Sequence, residues 1–301
     1  MIELRKLHQF AVLAEELNFR RAASRLHMSQ PPLSIALQTL EEEVGVRLLD
    51  RSRQHVRLTP AGTLFLKDVQ QILLHAQGAV ERARRAAQGQ EGVLRLSFVP
   101  SAALDVLPRI FKRFQQDYPA VQMQLVADTT ARQLEQLRRG ETDLALVVGP
   151  VHDARGLAMH DVCTQRFVIA VPQGHALAAR NTVKVRELAE ECFISFPAAQ
   201  GAGFAGALRK VCHAAGYQPR VVQEVSQMQT ILTLVAGGFG IALVPQAMRM
   251  APMKGVEFLN LAPTRPAPVY ELVLAHAHHN DNPIIQNFLG IARGSWPRRQ
   301  T

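Results

Sequence analysis

Apolar residues recur at helical spacing through the first part of the chain and in strand-length runs after it. Leu4, Leu7, Phe10, Ala14 and Leu17 predict an amphipathic helix over 3–17. Asn18 stands where an N-cap belongs, and Ala22, Ala23 and Leu26 form the stripe of a second, short helix. Ser29, Pro31 and Pro32 are start signals for a third. Its buried stripe is Leu33, Leu37, Leu40 and Val44, and Gly45 ends it. From Val46 to Pro60 two short apolar runs flank Arg51, Arg53, Gln54 and His55, which predicts a basic β-hairpin. Thr59 and Pro60 open a long helix to about Ala87. Along it Leu66, Val69, Leu73, Ala76, Val80, Ala83 and Ala87 are spaced 3, 4, 3, 4, 3, 4, an a/d seam. That seam reads as a dimer interface, or as a helix packed on its own domain.

Gln88-Gly-Gln-Glu-Gly92 breaks the helix and reads as a hinge. Beyond it the period changes. Strands are predicted at 93–99, 121–127, 143–148, 166–171, 191–196, 220–225, 240–245, 256–261 and 269–277. Helices are predicted at 104–117, 131–139, 204–215, 227–236 and 283–291. The alternation implies an α/β domain with a parallel sheet and crossover helices. It divides into two lobes, about 93–162 with 268–301 and about 163–267, with the chain crossing near 149–166 and near 262–270. SWPRRQT reads as a disordered tail.

The outward face of the third helix carries Ser34, Ile35 and Gln38, with Gln30, Pro31 and Pro32 at its entry. Gln pairs with the adenine N6/N7 edge, and Ser reaches bases or phosphates. Glu41, Glu42 and Glu43 follow and would repel phosphate, so only the N-terminal half of this helix suits a major groove. Arg51 and Arg53 on the hairpin would meet the phosphate backbone or the minor groove. Alone, a basic loop is an ordinary solvated surface; its position directly after a helix pair makes it specific.

AASRLHMSQPPLS at 22–34, LE at 40–41, VRLLDR at 46–51 and LTPAG at 58–62 resemble the DNA-binding domain of the LysR-type transcriptional regulators. The likeness extends in weaker form over nearly the whole chain. It implies a winged helix-turn-helix at 1–62, a linker and dimerisation helix at 60–87, and an effector domain of the periplasmic-binding-protein type at 93–301. It also implies a homodimer or homotetramer, DNA of approximate dyad symmetry, and contact with RNA polymerase. Family members often carry Arg after the serine that matches Ser34, and this chain has Ile35. A phosphate or guanine contact is then missing. Two readings of Ile35 stand: contact with a thymine methyl, or packing at the edge of the core.

Helix starts after strands attract anions through free N–H groups and the helix dipole. Ser101, Thr129, Thr130 and Ser226 lie at such places. Each is an N-cap if read alone; together on facing lobes they suggest a carboxylate-binding cleft. By resemblance Ser101, Thr130 and Phe204 match effector-pocket positions, and Gln227 reaches the same place. The expected effector is a small organic anion. QPPLS and the Ser101/Thr130 pair lean toward the branch governing aromatic-compound catabolism.

Charge and composition adjust this picture only slightly. The chain of 301 residues carries +9, but residues 1–60 hold nine Lys/Arg against seven Asp/Glu, so the DNA argument rests on arrangement. MIELRKLHQF lacks the core of a signal peptide and no apolar run spans a bilayer, so a cytoplasmic location is expected. Cys163, Cys192 and Cys212 form no C-x-x-C pair and are expected to be reduced and buried; a redox-sensing pair is the alternative. His276, His278 and His279 lack a third ligand nearby, and no metal site is expected. GGFG at 237–240 precedes its strand and reads as a turn, not a dinucleotide loop. No hydrolase, zincin or Walker motif occurs, so neither an enzyme nor a cofactor is expected. The competing classes are a thiol- or metal-sensing regulator of the same build, and a solute-binding protein without DNA function.

Overall fold

The computed structural model describes residues 1–51, 55–200, 202–265 and 267–295. The chain forms two compact units, Met1–Arg85 and Ala86–Thr301. Arg53 and Gln54 of the hairpin, and all of the tail beyond Ser295, lie outside the described residues.

The first unit contains α1 (Leu4–Glu16), α2 (Phe19–Arg25), α3 (Gln30–Val44), β1 (Leu49–Arg51), β2 (Val56–Leu58) and α4 (Pro60–Ala87). Asn18 Oδ1 accepts from the N–H groups of Arg20 at 2.9 Å and Arg21 at 3.1 Å, which starts α2. Ser29 sits at the N-cap of α3 but makes no side-chain cap bond; the prolines set that start. Gly45 ends α3 at φ +81°, a conformation that favours glycine. Leu7, Phe10, Leu13, Ala22, Leu33, Leu37 and Leu40 close the core, with Leu48 and Leu49 sealing it from the hairpin side.

Thr59 caps α4 by accepting from Gly62 N–H at 2.9 Å. The expected seam of α4 divides. Val69 is fully buried in the first unit's own core, with Leu66 and Leu73 packed at its edge. Leu66 and Leu73 stay partly exposed, so of the seam's large residues only Val69 is wholly taken up by this core. Leu64, Ile72, Leu74 and Val80 are the large apolar residues that α4 exposes.

The second unit is built on one continuous sheet, β4-β3-β5-β12-β6-β11-β7, with β10 also paired to β6. Its strands are β3 (Glu91–Phe98), β4 (Ala120–Ala127), β5 (Leu144–Val148), β6 (Leu157–Pro172), β7 (Thr182–Val183), β10 (Ala242–Pro245), β11 (Val256–Leu261) and β12 (Val269–Ala277). A short parallel pair, β8 (Cys192–Ser195) and β9 (Arg220–Glu224), adjoins β10 through a bridge from Phe193 to Ile241. The helices are α5 (Val106–Asp117), α6 (Thr130–Arg138), α7 (Ala202–Ala214), α8 (Met228–Ala236) and α9 (Pro283–Gly294).

Two expectations need correction, the all-parallel sheet and the length of one strand. The sheet is mixed: β3 runs parallel to β4 and β5, but β12 and β6 run antiparallel to their neighbours. The strand expected at 166–171 is sixteen residues long. Its first half, LAMHDVCTQ, is only partly buried and carries no clean alternation, yet pairs with β12 throughout. Its partners change from β12 to β10 and β11 between Arg166 and Phe167, somewhat beyond the expected lobe boundary at Cys163. The hinge at 88–92 is partly strand, and Asn287 Nδ2 donates to the carbonyls of Gln88 at 3.0 Å and Gly89 at 3.1 Å. It is pinned to the start of α9. Packing explains the order of the first lobe: Phe114 of α5 meets Phe288 of α9 at 5.1 Å over the buried β3 and β5.

Candidate functional site

Helix α3 presents Gln30, Pro31, Pro32, Ile35 and Gln38 to solvent, with Ser34 half-buried beside them. Ile35 is 65% exposed, which removes the reading of it as a core-edge residue. Gln38 Nε2 donates to Glu42 Oε1 at 3.3 Å. No Lys or Arg occurs within α3. The basic groups sit around it. Glu16 and Glu15 pair with Arg21 and Arg25, while Arg47 and Arg57 are exposed at the hairpin.

Arg51 is paired within the first unit while 39% of its side chain stays exposed. Its Nη2 lies 3.3 Å from Glu41 Oε2, and its guanidinium stacks 5.2 Å over the Phe19 ring. Glu41 Oε1 also accepts from the N–H groups of Leu48 at 2.8 Å and Leu49 at 3.0 Å. One carboxylate on the reading helix thus carries the first strand of the hairpin. A concave surface of about 540 Å³ lies between them, lined by Gln38, Glu42, Val46, Arg47 and Arg51. Val46 and Arg47 were not singled out from the sequence, although they fill the turn directly after Gly45.

In the second unit, Ser101, Thr129, Thr130, Phe204, Ser226 and Gln227 converge on one cavity of about 390 Å³. They come from separate segments of the chain. Ser101 lies in a 3₁₀ turn, Pro100–Leu104, after β3, and is buried close to the Tyr270 hydroxyl. Thr129 is the N-cap of α6 but makes no side-chain cap bond. Thr130 Oγ1 accepts from Val148 N–H at 3.2 Å. The N-cap of α8 is Gln227, not Ser226, and it too is uncapped by its side chain. The hydroxyls are therefore not simple caps, and two helix starts open onto the cavity.

Asp128 and Arg132 also line it, 3.5 Å apart, and balance each other's charge. The apolar wall is aromatic. Phe204 packs edge-on against Phe167 at 5.8 Å, Phe196 at 5.5 Å and Tyr270 at 5.2 Å. Burial keeps the Tyr270 phenol protonated by raising it well above its usual range. Asp128, Arg132 and Phe196 were missed in the sequence. The spacing of Asp128 and Arg132 by four is the signal that could have found the first two.

Residues 4–63 match the model of the bacterial regulatory helix-turn-helix proteins of the lysR family, and residues 87–297 match the LysR substrate binding domain. The chain belongs to the LysR family of transcriptional regulators. AlsR of Bacillus subtilis is 33% identical over 291 residues, covering 97% of this chain and 95% of that protein. CatR of Pseudomonas putida is 33% identical, covering 96% of this chain and 97% of that one. The crystal structure of CbnR, a LysR family regulator, superposes with a TM-score of 0.86 at 28% identity, covering 97% and 100% of the two chains. Full-length CbnR complexed with its target DNA gives 0.84 at 28% identity, over 98% and 99%.

The LysR-type chain therefore carries a DNA-binding and an effector-binding domain, and its relatives are regulators rather than enzymes. Other residues weighed from the sequence fall as follows. His276 is buried and its Nε2 meets His160 Nε2 at 3.1 Å. No group of three or more His, Cys, Asp or Glu suited to a metal occurs among the described residues. The cysteines are free thiols, and burial pushes the Cys163 thiol up to about 11, which suppresses its thiolate at neutral pH. GGFG is a turn, with Gly238 at φ +78°. No helix among the described residues is long and apolar enough to cross a membrane.

Proposed function

We propose that this regulator binds DNA of approximate dyad symmetry as a cytoplasmic homodimer or homotetramer and is switched by a small organic anion. The N-terminal half of α3 enters the major groove with Gln30, Pro31, Pro32, Ser34, Ile35 and Gln38. Arg51, and Arg53 beside it in sequence, face the phosphate backbone. The seam of α4, running through Leu73, Ala76, Val80, Ala83 and Ala87 beyond the buried Val69, meets a second copy. The anion lies between the uncapped starts of α6 and α8, with Ser101 and Thr130 as polar partners and Phe204 as an apolar wall. Binding there favours one arrangement of the two lobes over another, and that difference in affinity changes how the DNA-bound oligomer meets RNA polymerase.

The observation that carries the effector reading is the convergence of six residues from separate segments on one cavity, with the Ser101 hydroxyl buried beside it. Isothermal titration of the full chain with a panel of small carboxylates tests this. Saturable binding that Ser101→Val weakens, on the order of ten-fold, supports it; binding confined to neutral or cationic compounds overturns it.

A further inference from the structure

Helix α3 offers DNA no cation, and its outward face holds one large apolar side chain. Ile35 is 65% exposed in the second turn, while Leu33, Leu37 and Leu40 of the same helix are essentially buried. The fold does not use it: it belongs neither to the core of the first unit nor to the residues packed against that core. Pro31 and Gln38 flank it one turn to either side, and both are exposed. This is the part of the helix that the following glutamates leave suitable for a groove. The guanine contact characteristic of Arg or Lys is unavailable from such a helix, because no guanidinium or ammonium stands on it. The apolar feature that base edges present in the major groove is the thymine 5-methyl group.

We infer that Ile35 is a specificity-determining residue that selects thymine at one position of each half-site by packing against its 5-methyl group. This rests on the proposed docking of α3 in the major groove. Gln30 and Gln38 then read neighbouring base edges by hydrogen bonds, and the wing supplies sequence-independent affinity. Burial of one methyl corresponds to about a four-fold change in affinity at a single site.

The test uses the full-length protein. Bound sequences are first selected from a random duplex pool, and each thymine of the recovered site is then replaced singly by uracil, which removes only the methyl. Wild-type protein is expected to lose about four-fold in affinity at one position per half-site and little elsewhere. Ile35→Ala should bind that site more weakly and no longer distinguish thymine from uracil there. Ile35→Arg should select a different base at that position, with guanine favoured. Both variants should melt with wild-type protein, since the side chain is exposed. The inference is overturned if no single uracil weakens wild-type binding, or if Ile35→Ala responds to uracil as wild type does. Failure to enrich any sequence would instead sink the groove-docking reading, and this inference with it.

Discussion

Glu41 and Arg51 tie the reading helix to the wing: their side chains meet at 3.3 Å while the same carboxylate holds the Leu48 and Leu49 amides. The first strand of the wing is therefore anchored to the helix. Hydrogen bonds to a charged acceptor contribute roughly 1.5–3 kcal/mol each when partly shielded. Glu41→Ala should accelerate hydrogen exchange at the Leu48 and Leu49 amides by roughly 10–100-fold. Unchanged exchange there would show that the strand is held by other contacts. Arg51→Ala should weaken DNA binding evenly across sequences and lower the slope of affinity against salt by about one.

Gly62 lies where α4 crosses the chain entering the wing. A Cβ at this position would stand 1.9 Å from the Leu48 carbonyl oxygen, a backbone atom that cannot swing aside. Gly62→Ala should destabilise the first unit by roughly 2–4 kcal/mol, despite the better helix propensity of alanine. Gly45→Ala is the control. It has open space around it and suffers only from its positive φ, so about 1 kcal/mol is expected. Urea denaturation followed by a probe in the first unit separates the two; equal effects would contradict the steric argument.

His160 and His276 form a proton-ordered chain. Arg293 donates to His160 Nδ1 at 2.9 Å, and His276 Nδ1 contacts the Ala277 carbonyl at 3.0 Å, where only N–H can bond. The bond between the two Nε2 atoms must then run from His160 to His276. Burial, then His276 and Arg293, push the His160 imidazole below its ordinary 6.5. A lowered histidine binds fewer protons folded than unfolded, so its contribution to stability is whole above 6.5 and declines as the pH falls toward the lowered value. His160→Phe should lose part of the wild-type drop in stability between about pH 8 and about pH 5.5. Denaturation at the two pH values checks this, and an undiminished drop in the variant would count against the chain.

The helical stripes of the first unit were legible because each helix buries one face against its neighbours, and the Asn18, Thr59 and Gly45 signals act within a few residues of themselves. Strands such as β5 were legible for a related reason: a strand covered on both faces must be apolar throughout. The long β6 was not, because a half-exposed strand takes its stability from the ladder it joins, and no residue within it names that partner. The seam of α4 was legible as a helix, but that Val69 turns into the domain's own core was not, since an apolar stripe has the same spacing whether it meets a sister chain or its own domain. Arg51 shows the same division. Its charge is written in the chain, but whether that charge faces phosphate or Glu41 depends on the approach of groups from α3 and the wing. Ser101 and Thr130 are marked by their places at strand ends, while the absence of caps and the cavity between them exist only after the lobes close around Phe204. Local backbone physics was thus determined by the sequence itself, and the identity of each partner across space was decided only by the tertiary fold.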